Sequence, residues 1–541
     1  MTSAIQHLLI VPILLPLAAG AVLLFIDERG RGLKAAINVG STVALVVVAF
    51  ALLTLAGNRT GVYRLGGWPA PFGIVLVVDR LAAVMLVLTS LLALASVVFS
   101  LARWHRAGRH FHSMFLFLLM GLNGAFLTGD LFNLFVFFEV LLAASYGLAL
   151  HGSGVTRVKA GLHYIAVNLA GSLLFLIGVS LIYGVTGTLN MADLATRIPQ
   201  LSTDNRMLLE TGTAILGIAL LLKAGIWPLS FWLPTTYSAA ASPVAALFSI
   251  MTKVGIYLVL RLWLLLFGAG SGASAHFGGN WLLLGGMATI AFGVIGVLSS
   301  RRLGWLAAYC VLVSTGTVLA AIAIGGIGVT GSALFYLVSS TLALGAFFML
   351  IELVERGRTR QVDAIAVARE TIDGAEEHDM SEPEEIGITI PATMAVLGMA
   401  FLGCALLLAG LPPLSGFIAK FSLLAALLDL GAPGGAGPVA TSSWAFLALV
   451  IVSGLATLIA MTRAGIRVFW RSSGRVVPRV RVIEMAPVAA LLCACVVLTI
   501  EAGPVMSYMR AASRSVYQPQ NYVRSVLAAP AEHEPANGSG S

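Results

Sequence analysis

The sequence predicts an all-α polytopic membrane protein with about 14 transmembrane helices. Of its 541 residues, 59% are hydrophobic and only 10% are charged, whereas soluble domains carry about 25% charged residues. The apolar residues also fall into runs of about 20, the length at which a helix crosses a hydrocarbon core roughly 30 Å thick. The net charge of +8 comes from basic residues in short loops between these runs, so it does not indicate nucleic-acid binding.

Each apolar run is predicted to form one membrane span. The first run lacks a basic flank before it and is long enough to span, so we expect a helix there and not a cleavable signal peptide. A shorter apolar stretch at 412–428 continues the twelfth span after a break. The runs cover residues 5–26, 35–56, 73–101, 113–129, 131–150, 161–184, 208–227, 239–267, 281–299, 303–323, 331–354, 387–409, 443–469 and 483–502.

Basic residues are distributed unevenly between the loops. Loops after even-numbered spans carry few of them, and because cytoplasmic loops are richer in Lys and Arg, the odd-numbered loops are predicted to be cytoplasmic. Both chain termini then face outward, although Arg510, Arg514 and Arg524 in the tail weigh mildly against this. The odd-numbered loops contain Arg29, Arg31, Lys34, Arg103, Arg106, Arg109, Arg157, Lys159, Arg301, Arg302, Arg463, Arg467, Arg471, Arg475, Arg479 and Arg481, and the even-numbered loops Arg59, Arg64, Arg197 and Arg206.

Two polar segments stand outside the spans. The long cytoplasmic loop at 355–386 contains EEHDMSEPEE and is strongly acidic, which suits either a solvated loop or a docking surface for a partner protein. The terminal segment AAPAEHEPANGSGS has the composition of a disordered tail.

Two spans share a helix-breaking pattern. Gly225-Ile-Trp-Pro228-Leu-Ser matches Gly410-Leu-Pro412-Pro413-Leu-Ser, and each falls at the end of an apolar half-span. Proline inside a helix removes a hydrogen bond, and glycine eases the break. We therefore predict that helices 7 and 12 are broken, as in transporters whose ion path lies at paired breaks.

The spacing of the breaks further predicts two five-helix repeats of opposite topology, spans 4–8 and spans 9–13. The predicted organisation is then 1–101 for helices 1–3, 102–267 for the first repeat, 268–470 for the second repeat with its acidic loop, and 471–541 for helix 14 and the tail.

Among the charged residues inside apolar runs, four stand out: Glu139, Lys223, Lys253 and Lys420. A charge at the bilayer centre costs about 2.5–3.5 kcal/mol on insertion scales, so such residues are functional candidates. Desolvation favours the neutral amine of a lysine, and a nearby carboxylate favours the ammonium. A Glu139–Lys223 pair that opens and closes would switch Lys223 between holding and releasing a proton, which water could carry to Lys253 and Lys420. The alternatives are a static Glu139–Lys223 pair and a snorkelling Lys420.

The other polar residues give weaker signals. His163, at the start of the sixth span, suits a polar interface or a relay. Asp79 is expected to pair locally with Arg80 or to lie at the membrane interface. None of the four cysteines has CxxC spacing, and the loop that carries His105, His110 and His112 has no carboxylate or cysteine to complete a metal site, so we predict no metal and no cofactor.

Three segments carry a resemblance to a known family: GDLFNLFVFFEVLLAASYGLAL, LLLKAGIWPLSFWLPTTYSAAASPVAALFSIMTKVGIYLVLR and LAGLPPLSGFIAKFSLL. They resemble the D subunit of Mrp-type multisubunit cation/proton antiporters, which are related to the Pha potassium systems and to the antiporter-like subunits of respiratory complex I. The resemblance implies fourteen core helices and roles in proton transfer for Glu139, Lys223, Lys253 and Lys420. Relatives often carry a histidine in a YLxHST pattern where this chain has Ser339, so the link between the half-channels is expected to rely more on water.

The favoured hypothesis is a proton-translocating membrane subunit of a Na⁺(K⁺)/H⁺ antiporter complex, without enzymatic activity of its own. Its expected partners are other membrane subunits, protons, Na⁺ or K⁺ and the lipid bilayer, but not nucleic acid. Its expected location is the bacterial cytoplasmic membrane. The alternative is a proton-pumping subunit of a complex I-like or hydrogenase-linked oxidoreductase.

Overall fold

The computed structural model describes residues 6–372, 392–429, 440–470 and 479–527. Nineteen α-helices and two short strands make up this part of the chain. The acidic segment 373–386, the first residues of the twelfth predicted span and the predicted disordered tail at 528–541 lie outside the described residues.

The helices follow the predicted spans closely. Twelve of those in the described ranges are long and apolar enough to cross a membrane, and two shorter apolar helices, Val11–Phe25 and Phe111–Leu127, coincide with the first and fourth predicted runs. The prediction of a many-span helical membrane protein is therefore confirmed, while the count of fourteen spans and the two inverted repeats stay predictions. The first ten helices are α1 (Val11–Phe25), α2 (Arg31–Asn58), α3 (Arg80–Ser100), α4 (Phe111–Leu127), α5 (Leu131–Ala149), α6 (Val155–Thr186), α7 (Met191–Arg197), α8 (Thr203–Ala224), α9 (Trp232–Ala239) and α10 (Ser242–Phe267). The remainder are α11 (Gly279–Ser299), α12 (Leu303–Ile324), α13 (Ile327–Ile372), α14 (Ala392–Ala409), α15 (Ser415–Asp429), α16 (Thr441–Gly465), α17 (Val482–Ile500), α18 (Ala502–Tyr517) and α19 (Gln520–Leu527).

The third predicted span begins later than expected. The apolar run 73–101 includes a β-strand, β2 (Val75–Val78), which pairs antiparallel with β1 (Gly61–Arg64). The sequence VLVV is apolar enough to resemble the start of a span, but β-branched valines fit a pleated strand well. The helix α3 then starts at Arg80, where Asp79 Oδ1 accepts a hydrogen bond from the backbone N–H of Ala82 at 2.9 Å.

The acidic loop also begins later than predicted. The helix α13 runs for 46 residues to Ile372, so the part of the predicted loop from 355 to 372 is helical.

Beyond the last span the chain forms two amphipathic helices, α18 and α19, where the prediction placed only a tail. In α18 the side chains of Met506, Met509 and Val516 are buried, whereas Arg510 and Arg514 are exposed. This spacing of three to four residues places the apolar side chains on one face of the helix. The helix packs against α3, α10 and α13, and α19 packs against α7 and β1.

The most buried spans are α10, α12 and α13. Within their most apolar stretches, 89%, 83% and 100% of the residues are buried, compared with 28% in α17. The three helices also contact one another. They form the interior of the bundle, and this is where the site described below is centred.

Candidate functional site

The first helix break separates α8 from α9. The helix α8 ends at Ala224, and Gly225 follows with φ 69°, a left-handed conformation that glycine adopts without strain. The N–H of Gly225 donates to the carbonyl of Leu222 at 3.1 Å and that of Ile226 donates to Leu221 at 3.0 Å, which closes the end of the helix. Pro228 lies in the unwound segment, where its missing N–H leaves no helical hydrogen bond broken.

The second break, between α14 and α15, is built in the same way. The helix α14 ends at Ala409, and Gly410 follows with φ 78°. Pro412 and Pro413 occupy the unwound segment before α15 begins at Ser415. The Trp227–Pro228 and Pro412–Pro413 peptide bonds are both cis. The two breaks therefore share a left-handed glycine after the first half-helix and a cis proline before the second.

Lys223 lies in the last turn of α8, immediately before the first break. Its side chain is buried, and its Nζ atom lies 4.7 Å from the centre of the Phe138 ring, in cation–π geometry. No hydrogen-bond partner for this Nζ occurs among the described residues. The carbonyl end of a helix carries a partial negative charge, which favours an ammonium at this position.

Glu139 follows Phe138 on α5 and is half-buried. Its Oε1 atom is buried without a hydrogen-bond partner in the described part of the chain, where no ion pair joins Glu139 to Lys223 either. The structure thus places the two residues on neighbouring parts of the same site. The static ion pair between them, which the sequence left open as an alternative, is not formed. A carboxylate and an ammonium that both lack a hydrogen-bond partner have capacity for water or for each other.

Lys253 is fully buried on α10, and hydroxyl groups hold it. Its Nζ atom donates to Ser314 Oγ at 2.9 Å and to Thr315 Oγ1 at 3.0 Å, both on α12. Ser314 Oγ in turn lies 2.9 Å from Ser340 Oγ on α13. None of the ion pairs in the described ranges involves this lysine. A buried ammonium here is therefore stabilised by neutral oxygens and not by a carboxylate.

Lys420 reaches back across the second break. From α15 its Nζ atom donates to the carbonyl of Ala409 at 2.9 Å and to that of Leu408 at 3.3 Å, at the end of α14. The side chain is 8% exposed, so it lies inside the bundle and does not extend along its surface. A Cβ on Gly410 would lie 2.5 Å from Cδ of Lys420, so a larger residue here would force the lysine side chain to move.

A small cavity lies between the environments of Lys253 and Lys420. We call it the central cavity; its volume is about 10 Å³, roughly the space of one water molecule. Because Leu408 lines it and also accepts the hydrogen bond from Lys420, the cavity adjoins the second break. Its lining residues are Cys310, Val313, Ser314, Tyr336, Ser339, Ser340, Leu407, Leu408, Gly416 and Thr457.

A much larger cavity opens at the end of the bundle that the basic loops predict to be cytoplasmic. We call it the end cavity, and its volume is about 810 Å³. His163 is exposed at its wall, 5.5 Å from the Phe231 ring centre, and the hydrogen bonds of Lys253 and Lys420 in the described residues go to other groups. Ala245, also in the wall, lies about two helical turns before Lys253 on α10. The cavity thus leads from the end of the bundle toward Lys253.

Sequence reasoning missed one buried ion pair. Arg261 donates to Asp79 Oδ1 at 2.7 Å and to the Tyr257 hydroxyl at 3.1 Å, with both charged side chains at least 90% buried. The expected local partner of Asp79, Arg80, donates instead to the carbonyl of Gly57. Arg261 lies in the apolar run LVLRLWLLL, the same kind of signal that identified the lysines, so it could have been recognised.

Comparison with known proteins gives consistent matches. The pattern of a family described as NADH:quinone oxidoreductase/Mrp antiporter, transmembrane, matches residues 128–444. The D subunit of a probable K⁺/H⁺ antiporter from Rhizobium meliloti is 60% identical over 536 residues, covering 98% of this chain and 99% of the relative. The D subunit of the Na⁺/H⁺ antiporter from Alkalihalophilus pseudofirmus is 32% identical over 530 residues, covering 96% and 99%.

A chain in the solved structure of the Mrp complex from Dietzia sp. superposes with a TM-score of 0.80 at 26% identity, covering 97% of this chain and 100% of that one. A chain of respiratory complex I from Thermus thermophilus has a TM-score of 0.74 at 21% identity, covering 94% and 99%, which indicates a shared fold.

Proposed function

This chain belongs to the NADH:quinone oxidoreductase/Mrp antiporter transmembrane family, and on that premise we propose that it translocates protons as a membrane subunit of a multisubunit Na⁺(K⁺)/H⁺ antiporter. Its relatives are named as D subunits of antiporters, and one solved relative is part of an Mrp complex. The partners are then the other membrane subunits of such a complex. We further propose the bacterial inner membrane as its location, with both termini outside.

The observation that carries this proposal is the environment of Lys253. A permanent charge buried without a counter-ion is expensive, and breaking a buried pair typically costs about 3–5 kcal/mol. The Ser314 hydroxyl can hydrogen-bond either an ammonium or a neutral amine, because a hydroxyl both donates and accepts. This environment suits a side chain that gains and loses a proton, and it does not suit one that only ties helices together.

The proposed relay links the two helix breaks through Lys253. Glu139 and Lys223 would exchange a proton at the first break, where both have unfilled hydrogen-bonding capacity. Lys253 would receive it through water from the end cavity or from Lys223, and Lys420 would deliver it at the second break. Water must take part, because hydrogen bonds do not join the three lysines to one another in the described residues.

We propose K⁺ as the exchanged cation. The relative named for K⁺/H⁺ exchange is 60% identical to this chain, whereas the relative named for Na⁺/H⁺ exchange is 32% identical. Lysines repel metal cations, which prefer oxygen ligands, so this chain would carry the protons and the cation path would lie partly in other subunits.

The competing function is proton pumping in a redox complex, as the complex I part of the family name allows. The high identity to an antiporter component over nearly the whole chain favours the antiporter. The two functions differ in what drives the proton: an added cation in the antiporter, and electron transfer in the redox pump.

Glu139→Gln is expected to abolish cation-dependent proton movement by the whole complex. The amide keeps the size of the side chain but cannot hold the proton that Lys223 releases or receives. The measurement is the collapse of a preset pH gradient in inverted membrane vesicles after addition of KCl or NaCl, normalised to the amount of assembled complex.

Glu501→Gln is the matched control for this measurement, because Glu501 is exposed at the end of the last span. It should leave exchange unchanged. Native exchange rates in assembled Glu139→Gln complexes would contradict the proposed function.

A further inference from the structure

We propose that Ser314 and Ser340 pass the proton from Lys253 to one water molecule in the central cavity, from which it reaches Lys420. This inference rests on the proposed function and deepens it, since it names the groups that connect the two halves of the relay. It assigns the connection to two hydroxyls on α12 and α13 and not to a side chain that holds a proton.

The hydroxyl chain is continuous from the lysine to the cavity wall. Lys253 Nζ lies 2.9 Å from Ser314 Oγ, and Ser314 Oγ lies 2.9 Å from Ser340 Oγ. Both serines line the central cavity. Both steps from Lys253 to Ser340 are therefore within hydrogen-bond distance. All three side chains are buried, so bulk water does not compete along this route.

Ser340, and not its neighbour Ser339, lies on this chain. The sequence pointed to Ser339, which occupies the position where relatives often carry histidine. In the structure the Ser339 hydroxyl bonds Ser415 Oγ at 2.8 Å, at the start of α15. Ser339 thus joins α13 to the second break and forms another part of the cavity wall. Ser340 faces Ser314.

Thr315, the other hydroxyl bonded to Lys253, is less suited to carry the proton because of its own hydrogen bond. Thr315 Oγ1 also accepts from Lys253, but its own hydrogen is donated to the carbonyl of Val311 at 2.8 Å, within its own helix. Ser340 donates to the carbonyl of Leu337 at 3.3 Å, a longer and weaker bond. Its hydroxyl can therefore turn toward a water in the cavity at small cost.

The proton transfer balances without any further reactant. The Lys253 ammonium breaks one N–H bond and gives the proton to Ser314 Oγ. Ser314 gives its original hydrogen to Ser340, Ser340 gives its own to the water, and the water gives one to the neutral amine of Lys420. Each oxygen exchanges one O–H bond for another, and an N–H bond forms at Lys420. Rotation of the two hydroxyls restores the starting arrangement.

A purely structural role for these serines is the competing explanation, because hydroxyls often join membrane helices with about 0.6 kcal/mol per bond. One buried serine nearby, Ser249, makes no such bond between helices in the described part of the chain. The Ser249 hydroxyl on α10 donates to the carbonyl of Ala246 at 2.7 Å, inside its own helix. Ser249 is fully buried and lies outside the cavity wall, so it serves as a matched control.

The test measures cation-dependent proton exchange by the whole complex in inverted vesicles, per assembled complex, for Ser314→Ala, Ser340→Ala, Ser340→Thr and Ser249→Ala. We expect each relay alanine variant to lose about tenfold in rate, less than the 10²–10⁴-fold of a lost acid or base because water can partly replace a hydroxyl. Ser340→Thr keeps the hydroxyl and should retain most of the rate. Ser249→Ala should match the native complex.

The outcomes separate this inference from the proposed function. If Ser314→Ala and Ser340→Ala complexes exchange at the native rate while Lys253→Met complexes do not, the hydroxyl route is wrong. The proposed proton relay through Lys253 is then still supported. If Ser340→Thr is as slow as Ser340→Ala in complexes that assemble normally, the serine acts through its size and not its hydroxyl, which also overturns the inference. Native exchange in Lys253→Met complexes would overturn the proposed function itself.

Discussion

Replacing Asp79 with alanine is expected to destabilise the protein by about 3–5 kcal/mol, because it leaves the charge of Arg261 buried without a partner. The 2.7 Å ion pair joins the start of α3 to α10, and both side chains are more than 90% buried. The substitution also removes the side chain that caps α3 through the N–H of Ala82. The measurement is the midpoint of heat-induced unfolding of the detergent-solubilised complex.

Two further variants test whether the lost ion pair is the cause of the destabilisation. Asp79→Asn/Arg261→Met keeps a capping side chain and removes both charges, and replacing a buried pair by apolar groups is often neutral or stabilising. Its midpoint should lie close to that of the native complex. Arg197→Ala breaks the pair with Asp193, in which Arg197 is 45% exposed, and should cost no more than about 1 kcal/mol. If Asp79→Ala unfolds at the native midpoint, the buried pair does not stabilise the fold.

Replacing Lys253 with methionine is expected to abolish proton exchange while the complex stays at least as stable as the native one. Methionine is flexible and similar in length, so it can fill the space between α10 and α12. It removes an ammonium that has only Ser314 and Thr315 as partners. We expect a loss of at least about 10²-fold in cation-dependent proton movement, the scale of a lost proton-transfer group.

The control for this variant is Thr252→Val, one residue earlier on α10. Thr252 is fully buried, and its hydroxyl donates to Ser249 within the helix, so exchange should persist. Exchange in vesicles and thermal stability are measured on the same preparations. Marked destabilisation of Lys253→Met would indicate a structural role for the lysine, because a proton carrier should be dispensable for folding.

Much of the fold could be predicted because its elements depend on local sequence. Long apolar runs marked most span positions, and glycine with proline marked both unwound segments, where Gly225 and Gly410 adopt positive φ. The exceptions have physical reasons. The strand β2 is as apolar as a span, and the amphipathic helices α18 and α19 are too polar to resemble one.

The site could be predicted only in part, because charges inside apolar runs are visible in sequence and their partners are not. Lys253 was identified, but Ser314 and Ser340 lie on two other helices and are ordinary serines in the sequence. Asp79 and Arg261 are likewise distant in sequence. The Glu139–Lys223 pair was expected from charge alone, whereas the structure places the ammonium over the Phe138 ring.

Proton flux through the Lys253→Arg complex tests the central claim most directly. Arginine keeps a positive charge on α10 but does not release its proton in proteins. The assembled complex, reconstituted in vesicles with an internal pH dye, would be given a K⁺ or Na⁺ gradient. The relay predicts no cation-driven proton movement in this variant, with native movement in the Thr252→Val control. Native-like flux through Lys253→Arg would contradict it, because the positive charge alone would then suffice.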